Sequence, residues 1–298
     1  MVPDLTSALV RGFEQTARAL GSSEPPTEIC RLLGGLEART FSFQLNGDRF
    51  VVKIYDDNGD KACTEFDNLA VVSVAQVPTP EPVAKDDDGD WFHAPAVVMT
   101  ALPGRPDMHP EDRHLWVSDA AEALASVHSV SPARAAHVRP PRWQRWQPST
   151  GGMGSESARA DEVLARLRDG AETLPTVLSH DDYNPGSLLF EGGRLSGVVD
   201  WADVAIEPRH AAVALFRHFL AIHPGGDAPE AFLDAYERAA DTTLGDLPLW
   251  DVLYGLRGVR PVDHWVLALD GLGLEVTSLE IQERSREWVR KGILLAGG

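Results

Sequence analysis

Cysteine is scarce in this chain of 298 residues, with Cys30 and Cys63 the only two. They lie too far apart to read as a paired-thiolate metal motif, and a disulfide framework needs more of them. The expectation is two free thiols in a reducing cytoplasm. Long hydrophobic runs are also missing. No apolar stretch approaches the ~20 residues needed to span a bilayer, so no membrane partner is expected. The opening stretch MVPDLTSALVRGFEQTARALG has no basic segment leading into an apolar core and a small-residue cleavage site, so it does not read as a secretory signal. Basic residues are outnumbered: 27 Lys and Arg face 45 Asp and Glu, a formal net charge of -18. Such a surface repels phosphate backbones and argues against nucleic acid as a partner. The acidity has two readings, solubility or attraction of a cationic ligand to an acidic cleft.

What is present fits one large domain or two lobes. The opening stretch has Leu5, Leu9, Phe13 and Leu20 near helical spacing and predicts an amphipathic helix. Two strand-like segments, Thr40 to Leu45 and Arg49 to Tyr55, flank Asn46-Gly47, a strong hairpin turn. KACTEFDNLAVVSVAQ carries Phe66, Leu69, Val72 and Val74 and predicts a helix ending before the Pro-rich VPTPEPV. AKDDDGDWFHAPAVVMTAL reads as strand, solvated acidic turn and strand. The first hundred residues thus predict a small, mainly antiparallel sheet with one helix inserted. LPGRP, Leu102 to Pro106, is the expected hinge. Beyond it the chain reads as largely helical: an amphipathic helix in DAAEALASVHSV, helices at Ala158 to Gly170 and Ala211 to Ile222, and more from Ala228 onward. RPPRWQRWQPSTGGMGSES between them predicts a surface loop.

The chemistry concentrates in SHDDYNPGSLLF and, ten residues on, GVVDWAD. Two apolar runs, TVLSH and SGVVD, deliver polar side chains to a common place. A carboxylate beside a substrate hydroxyl can accept or orient its proton. A second carboxylate nearby needs a cation between them. Mg²⁺ takes one or two carboxylates plus phosphate oxygens. The cluster therefore suggests metal-assisted phosphoryl transfer, with Asp182 on the hydroxyl and Asp200 on the metal. The order His180, Asp182, then Asp200 is the order found in kinases. Lys53, in the strand FVVKIY, matches a phosphate-pairing lysine. Glu65, at the start of the next helix, could hold it by an ion pair. His180 reads as structural and Asp181 as a surface or capping residue.

HDDYNPGSLLF, GVVDWAD, VVKIY and EALASVHSV together resemble the aminoglycoside phosphotransferase and choline kinase-like family, over about Leu32 to Leu220. The resemblance implies an α+β, protein-kinase-like bilobal fold: an N-lobe antiparallel sheet with one helix in 1–102, and a mostly helical catalytic and substrate lobe in 103–298. It implies ATP or GTP between the lobes and Mg²⁺. Asp182 would be the catalytic base, Asp200 a metal ligand, and Ser187 a second, weaker and shorter metal ligand acting directly or through water. Lys53, Glu65, Thr100 and Leu102 would serve the nucleotide, and Asp203 and Asn184 the substrate. The chain departs from the pattern at Ser187, where the family usually has a metal-ligating Asn; at His210, where relatives often carry Asp; and at the Gly34-Gly35 loop, which is not G-x-G-x-x-G. The expected acceptor is a cationic antibiotic, an aminoglycoside or a basic cyclic peptide such as capreomycin or viomycin. Macrolides, choline-like amines, homoserine and sugars are the rival acceptors, and a weakly active nucleotide-binding regulatory protein is the rival class. Acids from Asp227 to Asp270 could collectively line a cationic site. Trp143, Trp146 and Trp265 are expected to pack. A cytoplasmic monomer or homodimer is expected.

Overall fold

The computed structural model describes residues 6–32, 38–56, 59–135, 139–223 and 227–297. Leu5 and the Gly34-Gly35 loop lie outside the described residues. The first layer is a five-stranded antiparallel sheet of β1 (Thr27–Leu32), β2 (Arg39–Leu45), β3 (Asp48–Ile54), β4 (Pro82–Asp86) and β5 (Ala96–Thr100), in the order β1-β2-β3-β5-β4. The β2–β3 hairpin forms where expected. Asn46 and Gly47 both take positive φ, 54° and 92°, as a tight turn matched to strand twist requires. Side chains alternate across the sheet. Phe41, Phe43, Val52, Ile54 and Val98 face α1 (Ser7–Ala19), whose Phe13 makes edge contacts with Phe41, Phe43 and Phe92 at 5.3 to 5.8 Å. Lys53, Tyr55, Val97 and Met99 lie on the opposite face by the same alternation, and α2 (Gly59–Val72) packs there. Val74, expected to continue that helix, lies beyond its end and is exposed.

Past Thr100 the chain runs through the expected hinge into the second part. Its centre is α3 (Arg113–His128), capped by Asp112, whose side chain accepts the Leu115 N–H. This helix is not amphipathic as its sequence suggested. Ten of its residues are buried, because elements cover it on nearly every side. Then follow the short α4 (Arg142–Arg145), α5 (Ser157–Ala171), and the paired ledges β6 (Thr176–Ser179) with β9 (Ala205–Pro208) and β7 (Leu188–Glu191) with β8 (Arg194–Val198). The helices α6 (Arg209–Ile222), α7 (Ala228–Ala239), α8 (Leu247–Gly255), α9 (Asp263–Gly271) and α10 (Ser278–Ala296) close the structure. Arg217 ties three of them together. Its guanidinium holds Asp251 at 3.0 and 3.1 Å and the Pro229 carbonyl at 2.7 Å. No helix among the described residues is long and apolar enough to cross a membrane.

Two sequence expectations change here. Asp86, assigned to a solvated turn, is buried and accepts the Asp90 and Trp91 amides at 3.0 and 2.6 Å, because the acidic turn folds back over its own strand. The RPPRWQRW stretch is not a plain surface loop. It holds α4, and Trp143 packs edge-on against Trp250 at 5.3 Å.

Candidate active site

Three elements converge on one chain of ion pairs. The period-two alternation of β3 aims Lys53 at α2, where Glu65 is fully buried. Lys53 Nζ lies 2.8 Å from Glu65 Oε1 and 2.6 Å from Asp200 Oδ1. Glu65 is fully used: Oε1 also accepts the Trp201 N–H at 3.0 Å, and Oε2 accepts the Tyr55 hydroxyl at 2.5 Å. One turn on, Asn68 donates to the Trp201 carbonyl at 2.8 Å. The helix thus grips both sides of the residue after Asp200. Tyr55 and Asn68 escaped the sequence reading, although Asn68 shares a helical face with Glu65 by its i+3 spacing. Burial works against the charge of Lys53, but Asp200 and Glu65 outweigh it and hold the ammonium above its usual range. Lys53 in turn holds the Asp200 carboxyl down at about 2. Asp200 sits in the left-handed region with φ 71°, a conformation that costs free energy in a residue other than glycine.

The second loop leaves β6 through Asp181, also left-handed at φ 56°. Asp182 keeps 30% of its side chain exposed, and Arg142 Nη2 approaches its Oδ1 at 3.2 Å. The carbonyl of Asp182 accepts from Asn184 Nδ2 at 2.8 Å and from Ser187 Oγ at 3.3 Å. Asn184 Oδ1 accepts the Gly186 N–H at 2.9 Å. Both ends of the Asn184 amide are therefore spent on shaping the loop, while Ser187 braces it by donating. Ser187 O accepts the Val199 N–H at 2.9 Å, which cross-links the Asp182 and Asp200 loops. His180 is buried, lies tilted against the Trp201 ring at 4.6 Å, and bonds the Val199 carbonyl at 2.9 Å, a structural placement. Burial lowers its pKa and keeps the ring neutral. Tyr183 anchors the loop to α3 through the Ala120 carbonyl at 2.7 Å. At the hinge, the Thr100 hydroxyl accepts the Glu81 N–H at 2.8 Å, and Leu102 lies against Gly197, where an added Cβ would meet its Cδ1 at 2.3 Å.

Asp181 is not a surface residue. It is buried and takes the Arg142 N–H on both oxygens at 2.9 and 3.0 Å, capping α4 from another segment, and it holds Arg145 at 2.9 Å. Burial pushes its carboxyl up to about 6 despite these partners. The anchored α4 carries Arg142 to Asp182. Asp203 is nearly buried and meets Arg142 at 3.5 Å, Arg139 at 3.7 Å and Lys61 at 3.8 Å. Arg257, just past α8, is close enough to Asp182 and Arg142 for their charges to act on it. These cations come from three separate stretches of the chain, and no local pattern announced them. The acids expected to line a cationic site are partly spent elsewhere: Glu230 pairs with Lys291, and Glu237 accepts the Leu244 N–H.

No group of three or more His, Cys, Asp or Glu gathers for a metal among the described residues. A metal brought with a triphosphate needs less, one or two protein carboxylates with phosphate and water supplying the rest. Asp200, ionised and half-exposed, fits that role. The buried hydroxyl of Ser187 donates its hydrogen to the Asp182 carbonyl and keeps its oxygen lone pairs for a cation.

The family model described as phosphotransferase enzyme family matches residues 28–256. The homoserine kinase of Chelativorans sp. (strain BNC1) is 28% identical over 189 residues, 56% of each chain, so this chain spans little more than half the length of the curated relatives it matches. A thermostable mutant of the aminoglycoside phosphotransferase APH(4)-Ia, in ternary complex with AMP-PNP and hygromycin B, superposes with a TM-score of 0.66 at 15% identity, covering 98% of this chain and 100% of the other. The macrolide 2'-phosphotransferase MphH from Brachybacterium faecium superposes with a TM-score of 0.54 at 18% identity, covering 87% and 97%. Likeness at this level establishes the kinase-like fold.

Proposed function

The chain belongs to the phosphotransferase enzyme family, and from that premise we propose that it is a small-molecule kinase moving the γ-phosphoryl group of ATP or GTP to a hydroxyl. The carrying observation is the Lys53–Glu65–Asp200 ion-pair chain, cross-linked through Ser187 and Val199 to the loop that presents Asp182. The nucleotide would lie between residues 1–102 and 103–298. Lys53 would pair its phosphates, held in place by Glu65. Mg²⁺, bound with the nucleotide at Asp200, would neutralise phosphate charge. Asp182 accepts or orients the acceptor's hydroxyl proton, and fixed positioning with charge neutralisation supplies most of the rate. The intact set speaks against a purely regulatory nucleotide-binding role.

Two acceptor readings compete. A cationic antibiotic has the net charge and the fold neighbours on its side. A small metabolite has the homoserine kinase relatives. The crowding of Lys61, Arg139, Arg142 and Arg257 around Asp182 and Asp203 favours the second, because a polycation would meet like charge there. An acceptor panel of aminoglycosides, viomycin, a macrolide, choline, homoserine and sugars, read by the ~80-dalton gain of a phosphate, tests the proposal. The expected result is a Mg²⁺- and nucleotide-dependent gain on a hydroxyl compound. No gain anywhere, with MgATP hydrolysis indifferent to Asp200→Ala, would sink it.

A further inference from the structure

A buried guanidinium in this protein has a recognisable structural form. Arg217 uses all three nitrogens, two on Asp251 and one on the Pro229 carbonyl. Arg257 is different. Its guanidinium stacks between Trp265 at 5.3 Å and Tyr254 at 6.0 Å, and its buried Nη1 has no hydrogen-bond acceptor. The nearby carboxylates are taken: Asp182 by Arg142, Asp181 by Arg142 and Arg145, and Asp203 by Arg142, Arg139 and Lys61. Burial, then the charge of Arg142, lowers the pKa of Arg257 to about 10, which leaves it charged at neutral pH. A buried donor without an acceptor is costly, and such groups in native proteins call for a ligand or a catalytic reason.

We propose that Arg257 receives an anionic group of the acceptor, so that the substrate is a hydroxyl compound bearing a carboxylate. The planar guanidinium, fixed between two rings, presents parallel donors that match a carboxylate. The charges of Arg142 and Asp182 both act on Arg257, so a carboxylate held there would share the site with the hydroxyl at Asp182, which calls for a small molecule. Arg257 is thus a specificity-determining residue, and this inference rests on the phosphotransferase reading of the same site.

The test is calorimetric. Protein loaded with MgAMP-PNP is titrated with L-homoserine, L-serine and γ-hydroxybutyrate, each paired with its carboxamide, and the series is repeated on Arg257→Met and Arg257→Lys. At least one acid is expected to bind the parent protein about 30-fold or more tightly than its amide, as for a desolvated charge pair that loses one partner. Arg257→Met should lose that preference and Arg257→Lys should keep part of it. The inference is overturned if the parent binds acids and amides alike or binds none of the acids, or if Arg257→Met keeps the preference. It is equally overturned if the loss falls on AMP-PNP, which would assign the residue to nucleotide phosphate. Should Arg257→Met not fold, the parent's acid-to-amide ratio and Arg257→Lys decide. Acceptor-free MgATP hydrolysis, measured beside its Asp200→Ala control, separates the two failures. Hydrolysis lost in Asp200→Ala without any acid preference sinks this inference alone. Hydrolysis indifferent to Asp200→Ala sinks the kinase reading beneath it.

Discussion

The two sides of the cleft balance their charges differently. On the β3 side one cation, Lys53, meets two carboxylates, Glu65 and Asp200. The surplus there is negative, and it falls on the half-exposed Asp200. On the α4 side Lys61, Arg139, Arg142 and Arg257 crowd around Asp182 and Asp203, and one guanidinium nitrogen is left without an acceptor. The surplus there is positive. Net charge is therefore a poor guide to the substrate. The chain carries -18 overall, yet the α4 side of the site is locally basic. A field summed over a surface steers ligands, but recognition follows the few charges that are desolvated beside the reacting atoms.

The comparison can be broken most severely at Asp182. Asp182→Asn is expected to lower turnover by roughly 10²–10⁴, the usual worth of a positioned base, while MgATP binding persists. Single-turnover kinetics beside nucleotide titration check this, and near-normal turnover would remove Asp182 from the base role. On the other side, Glu65→Gln weakens the grip on Lys53 and alters the bonds to Tyr55 and Trp201. Loss of the charge partner should raise KM for MgATP and destabilise the fold by about 3 kcal/mol, the cost of breaking a buried pair. Denaturant titration and nucleotide kinetics measure the two effects separately.

A smaller effect sharpens the contrast through pH. Asp181 holds its carboxyl at about 6, against an ordinary value near 4. Its folded pKa is raised, so the folded protein keeps a proton that the unfolded chain gives up. Stability should fall as pH rises from about 4 to about 6 and level off above, by on the order of 2 kcal/mol. Buried Glu207, raised by its own burial and by Asp181, acts in the same direction. Asp181→Asn should make the slope shallower, and denaturation midpoints across that pH window report it. Asp200 has the opposite sign. Its carboxyl is depressed to about 2, so its contribution is intact above the ordinary range and is lost only as pH falls from about 4 toward 2.

The smallest expected change is at Ser187. If this position limits the second metal contact, Ser187→Asn should lower the Mg²⁺ needed for half-maximal rate, because an amide oxygen reaches further than a hydroxyl. A magnesium titration of both forms at saturating nucleotide decides, and an unchanged or raised requirement refutes the loose-site idea.

The sequence by itself determined the local framework. Asn46-Gly47 dictated the hairpin because few other pairs accept two left-handed residues, and the alternation of β3 set Lys53 on the opposite face from Val52 and Ile54. The spacing of His180, Asp182 and Asp200 announced the chemistry, because each lies near a strand end and strand ends were legible. Only the tertiary structure decided what is buried and what is paired. Asp86 and Asp181 looked like solvated acids and are buried acceptors of backbone amides. α3 looked half-polar and is enclosed on nearly all sides. Asn68 gained its meaning from Trp201, which lies 133 residues along the chain. The basic cluster on the α4 side was invisible for the same reason. Lys61, Arg139, Arg142 and Arg257 each look like ordinary surface cations in sequence, and charge acquires its chemistry from the distance and burial that folding imposes.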